Sequence, residues 1–159
     1  MQINNKWLNG AIPALLIHCS IGTVYCWSLF KNNIGKTMGI ETPEWAFSLA
    51  IFFLGMSAAY LGNLVEKNVT QAAGFSAACF CLGMIGASVS ISIGSPIGVL
   101  LSYGCLMGIG LGIGYLTPVK TLMMWFKENK GLATGIAITG FGLAKVIASP
   151  IIEYLLTIT

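Results

Sequence analysis

The chain has 159 residues, of which 56% are hydrophobic and only 8% charged, with a mean hydropathy of +0.84 and a formal net charge of +3. A chain this small has too much surface to hide so many apolar residues within itself, so lipid is the solvent and an ordinary soluble domain is excluded. The positive charge comes from lysine alone, with no basic run to follow a phosphate backbone, and nucleic acid is excluded as a partner.

The first predicted element runs from Trp7 to Phe30. MQINNK precedes it, but the apolar stretch is longer than a signal-peptide core, contains His18 and is followed by no small-residue cleavage site, so it is read as a retained helix. His18, Gly22, Tyr25 and Leu29 share one stripe of this helix, while Trp27 points nearly the other way. Such a stripe faces either a polar cavity or a neighbouring helix. His18 reads first as a histidine satisfied inside the bundle, and Trp27 lines a cavity only if Tyr25 does not face it squarely.

The second element, Trp45 to Val65, begins with Thr42 as a cap, Pro43 in the first turn and Glu44 near the positive end of the helix dipole. The third and fourth, Gln71 to Ile93 and Ile97 to Val119, lie within 52 uncharged residues from Asn68 to Val119, broken only by the turn-like SIGSP at Ser92 to Pro96. That is room for two crossings of about 20 residues each. In the fourth, Gly104, Gly108 and Gly112 recur every four residues, and Gly110 and Gly114 repeat the spacing on another face. Glycine there lets neighbouring backbones approach from two sides, as ordinary packing or as smooth surfaces for a rocking motion. At 100° per residue Tyr115 falls within roughly 20° of Gly104, which puts its hydroxyl beside the glycine groove, against a bound anion, water or another helix.

The fifth element runs from Gly131 to about Leu155. Lys145 lies about 20 Å along it, where a buried ammonium is costly and is either functional or paired. The wheel puts Lys145 at the edge of the arc holding Gly131, Gly135, Gly142 and Ser149, hence toward protein. It attracts an anionic substrate, snorkels to the interface, or pairs with Glu153 about 12 Å further along the axis.

Backbone amides in hydrocarbon must be paired internally and nothing resembles alternating barrel strands, so all five spans are expected to be helices. Trp7, Trp45 and Trp125 with Phe126 mark the interfaces. Lys6, Lys67, Lys120, Lys127 and Lys130 fall on the N-terminal side and only Lys31 and Lys36 opposite, which predicts a cytoplasmic N-terminus and a multi-pass protein of the plasma or inner membrane. Five spans then leave Thr157 to Thr159 outside, and the sequence stops as the fifth helix finishes, as expected of a partial chain. Cys19, Cys26, Cys79, Cys81 and Cys105 match neither a zinc site nor a disulfide scaffold, and read as packing residues. With one His, no Asp and no nucleophile motif, neither catalytic chemistry, a metal nor a cofactor is expected.

NKWLNGAIPALLIHCSIGTVYCWSLF in the first helix, and GIGLGIGYLTPVKTLMMWFKENKGLATGIAITGFGLAK across the fourth and fifth, resemble the N-terminal half of a major facilitator superfamily transporter of the oxalate:formate antiporter family. The resemblance covers nearly the whole chain. It implies five helices of a twelve-helix fold, a partial N-terminal six-helix bundle spanning 1–159, whose remaining helices lie in the same or a separate chain. It implies alternating access to a central site that exchanges small carboxylates, with Tyr25 and Tyr115 in the substrate cavity. Val24 and Ile51 stand where the antiporter has cavity glutamines, a departure that points away from oxalate. The superfamily's loop G-x-x-x-D-x-x-G-R-[KR] is GNLVEKNVTQ here, with Gly62 kept, Glu66 in the acid position followed by Lys67, and Val69, Thr70 and Gln71 replacing the glycine and basic pair. The acid is left to hold a helix end or a neighbouring lysine.

The resulting expectation is an all-α polytopic membrane protein that carries small organic anions by antiport or symport. The alternatives are a non-transporting fragment, a subunit of a split transporter, or a carrier of neutral solutes.

Overall fold

A computed structural model describes residues 5–41 and 43–158. They form five helices long and apolar enough to cross a membrane: α1 (Trp7–Met38), α2 (Glu44–Lys67), α3 (Val69–Ser92), α4 (Pro96–Trp125) and α5 (Lys130–Ile158). Each contains its predicted span, except that α3 stops one residue short at Ser92. The largest difference is in α1, which continues past Phe30 to Met38 and ends at Gly39, whose φ of 65° closes the last turn. Lys31 to Thr37 is polar on one side and was invisible to hydropathy, yet Ile34 and Gly35 are buried, so that turn is held by packing.

The connections are short. Ser95 caps α4, its hydroxyl accepting from the Gly98 amide at 3.2 Å, with Pro96 in the first turn and Gly94 at φ 65° completing the predicted SIGSP turn. Thr42, expected to cap α2, lies outside the described residues, as do Thr159 and the first four residues of MQINNK; Pro43 stands at the cap position itself. A single residue, Asn68, with φ −157° and ψ 99°, both ends α2 and begins α3, and its side chain accepts from the Gln71 amide at 3.1 Å.

The centre of the bundle is α4. A β-carbon on Gly108 would lie 2.8 Å from the Ala50 carbonyl oxygen of α2, and one on Gly110 2.6 Å from the Phe80 nitrogen of α3. Gly104 and Gly112 also meet α2, and Gly114 meets Ser76 of α3. The Ser76 hydroxyl donates to the Gly110 carbonyl at 2.6 Å, tying α3 to α4. Such close approach lets dispersion and interhelical hydrogen bonds hold helices together in lipid, where no hydrophobic force does so. On the remaining side of α4 lies α1, and α5 packs mainly on α1.

Neither α1 nor α4 is uniform. Trp7–Ala11 and Leu100–Met107 wind in wide π-type turns, and Gly22–Cys26 in a tight 3₁₀ turn. Against that 3₁₀ turn, at its Gly22, α5 approaches so closely that a β-carbon there would lie 2.5 Å from the Phe141 carbonyl oxygen.

Candidate functional site

Four rings meet where α1, α4 and α5 converge. Phe141 of α5 sits in the middle, edge-on to Tyr25 at 5.2 Å, to Tyr115 at 5.3 Å and to His18 at 5.7 Å, and His18 stacks on Tyr115 at 5.3 Å. His18 is fully buried behind them, its Nε2 3.1 Å from the Tyr115 carbonyl oxygen, and the Ala137 backbone also lies against its ring. Tyr25 is 44% exposed. Tyr115 and Phe141 are half-buried, so the cluster has a sealed histidine side and an open tyrosine side.

Trp27 lies elsewhere, buried between α1, α2 and α4 with its ring 4.7 Å from Tyr103 and 6.3 Å from Phe47. It belongs to the interior of the bundle and not to the open side of the cluster. Phe141 was missed by the sequence reading, although the GFG motif around it carried the signal: a glycine on each side leaves its ring without a side chain at either adjacent position.

Two expectations from the helical wheel need correction. Tyr115 does not share the glycine groove with Gly104. Gly104 faces Leu49 of α2, whereas Tyr115 packs on α1 and α5. The π-type turns of Leu100–Met107 advance fewer degrees per residue than the assumed 100°, so the wheel loses register between the two residues. The arc of Gly131, Gly135 and Gly142 in α5 does not face protein within this chain, since a β-carbon on any of them would meet nothing within 4 Å. The row that packs on α1 is instead Ala133, Ala137, Gly140 and Ala144. Lys145 is consequently exposed, one turn beyond Phe141 on the same stripe of α5. Among the described residues it makes no ion pair with Glu153.

The α2–α3 connection is a second feature. The Lys120 ammonium of α4 reaches Glu66 at 2.5 Å and the Gly62 carbonyl at 3.2 Å, so it holds both an acid and the final turns of α2. Lys67 borders the same cleft. At the opposite end of the bundle Lys31 pairs with Glu44. Among the described residues no group of acids, cysteines and histidine could hold a metal ion, and all five cysteines are free thiols.

Five membrane-length helices packed around a glycine-lined central helix define a multi-pass membrane protein. The chain is 31% identical over 147 residues to YhjX, an uncharacterized MFS-type transporter of Escherichia coli, covering 89% of this chain and 35% of that protein. It is 26% identical over 159 residues to the oxalate:formate antiporter of Oxalobacter formigenes, 98% of this chain and 37% of the antiporter. It is 31% identical over 120 residues to apicoplast pyruvate carrier 1 of Toxoplasma gondii, 70% and 21% respectively. No family model and no solved structure matches. The chain belongs to the major facilitator superfamily of transporters, and spans about a third of the length of YhjX and of the antiporter.

Proposed function

We propose that this chain forms one wall of a secondary transporter for small organic anions, the N-terminal domain of a larger bundle, with Tyr25, Tyr115, Phe141 and Lys145 lining the substrate path. The observation that carries this reading is the open face itself: Tyr25 and Lys145 exposed, and Tyr115 half-buried, around Phe141 on helices that carry no other charged group between their ends. An ammonium exposed to acyl chains costs about 2.5–3.5 kcal/mol, which favours an aqueous path or an anion as its environment. The similarity to an oxalate:formate antiporter and to a pyruvate carrier supports carboxylates as the substrate class. No bond is made or broken. The anion binds near the bilayer midplane, and the bundle rocks against helices supplied by the rest of the protein, in the same or a companion chain.

The test is counterflow of labelled oxalate, formate, lactate and pyruvate in vesicles carrying either the 159-residue chain or the longest reading frame at its locus. Exchange by the longer product is expected, and Lys145→Gln should lower it at least about tenfold, the cost of removing one partner of a desolvated charge pair. Normal anion exchange by both Lys145→Gln and Lys145→Ala would remove the lysine from the path. No exchange by either product, with insertion verified, would turn the reading to a neutral solute or a structural role.

A further inference from the structure

The end of the bundle carrying the N-terminus has two basic clefts of different character. One, of about 520 Å³ between the ends of α2 and α4, holds Lys120 already engaged by Glu66 and the Gly62 carbonyl. The other, of about 300 Å³, lies where the first turn of α1 meets the α4–α5 connection. Lys6, Lys127 and Asn129 supply its donors, Trp125 and Phe126 its rings, and Glu128 its one carboxylate. Among the described residues neither Lys6 nor Lys127 makes an ion pair.

We infer that this second cleft binds the phosphate headgroup of an anionic phospholipid. Its floor is a fixed aromatic platform. Trp7 stands edge-on to Phe126 at 5.2 Å, the Lys6 ammonium lies over the same ring at 5.3 Å, and Gly10 lets α1 approach Trp125 so closely that a β-carbon would be 2.9 Å from the indole. Indole rings settle at the headgroup level of a bilayer, so the two ammonium groups stand at phosphate depth. Trp7 at 49% and Met124 at 62% exposure offer apolar surface beside the charges, which an acyl chain covers. Lys130 follows at the start of α5, where the helix dipole also favours an anion. A free phosphate would meet the same ammonium groups but gain nothing from Trp7 and Met124, and this favours the lipid. Basic clefts between transmembrane helices recognise anionic headgroups on this principle.

The test uses quenching of tryptophan fluorescence in the intact chain, reconstituted with brominated phosphatidylglycerol or brominated phosphatidylcholine at equal mole fraction. Stronger quenching by the anionic lipid is expected. Lys6→Gln and Lys127→Gln should each weaken that preference about fivefold. Glu128→Gln should strengthen it, a sign that a merely unfolded variant would not give, and Lys31→Gln with Lys36→Gln at the other end should leave it unchanged. Equal quenching by both lipids, or a preference that survives loss of both Lys6 and Lys127, would overturn the site. Displacement of the anionic lipid by millimolar inorganic phosphate would overturn the lipid as the source and leave a soluble phosphate in its place.

Discussion

Gly110 and Gly135 have the same side chain and opposite surroundings, and a methyl group separates them. At Gly110 the new carbon would sit 2.6 Å from the Phe80 nitrogen and 2.8 Å from the Ser76 carbonyl oxygen, backbone atoms that retreat only if α3 moves away from α4. The Ser76 to Gly110 hydrogen bond would lengthen with that shift. Gly110→Ala should therefore cost about 1–3 kcal/mol, the usual range for overpacking. At Gly135 the added carbon meets nothing within 4 Å, and alanine is the better helix former by about 0.8–1 kcal/mol. Gly135→Ala should be neutral or stabilising. Equilibrium unfolding of the two variants in mixed micelles separates these outcomes, and equal losses would mean that both faces of the bundle are packed alike. Spacing alone could not tell the two apart, because a run of glycines marks a smooth surface without saying which helix lies on it. The same ambiguity hid the setting of Lys145: its glycine-rich arc is open here, while alanines make the contact with α1.

At the scale of helices, the C-terminal ends of α2 and α4 are joined by one lysine doing two things. Lys120 donates to Glu66 and to the Gly62 carbonyl, and the Glu66 side chain is 64% exposed. Screening at that exposure limits the ion pair to less than about 1 kcal/mol, so Glu66→Gln should be mild. Lys120→Met should cost more, since the Gly62 carbonyl loses its donor as well. Exchanging the charges, Glu66→Lys with Lys120→Glu, should restore only part of the loss, because a carboxylate cannot donate to a carbonyl. A double-mutant cycle on unfolding free energies measures this, and full recovery would show that the Gly62 contact contributes nothing. Helix number and approximate limits were legible in the sequence because burial in lipid requires about 20 apolar residues at a stretch. The Lys31–Met38 extension was not, since its stability comes from packing of Ile34 and Gly35 and not from hydropathy. Nor was the direction of Tyr115, because the turns of Leu100–Met107 depart from the 3.6-residue period on which any wheel depends. The Glu66–Lys120 pair joins residues 54 positions apart and had no local signature, although the loop pattern left the acid in need of a lysine.

Across the whole molecule, charge is distributed by end. Lys6, Lys67, Lys120, Lys127 and Lys130 gather where α1 begins, as the Lys120 to Glu66 pair and the Trp7 to Phe126 contact require, and Lys31 and Lys36 occupy the other end. Lysine near short connections is retained on the cytoplasmic side during insertion, so five against two should hold the N-terminus there. The two connections that report this are the ones after α3 and α4. In a variant lacking the five native cysteines, a cysteine replacing Ile93, which is exposed in the first of these connections, should react with an impermeant maleimide added outside intact cells, and one replacing Asn129 only after the membrane is opened. The opposite pattern would invert the bundle. It would also put the Lys6 and Lys127 cleft on the outer leaflet, away from the anionic lipids of the cytoplasmic one. Labelling of both positions from outside in intact cells would mean that part of the population inserts each way. That outcome is expected only if the lysine bias is too weak for this chain by itself, and lysines added beside Asn129 should then restore a single orientation.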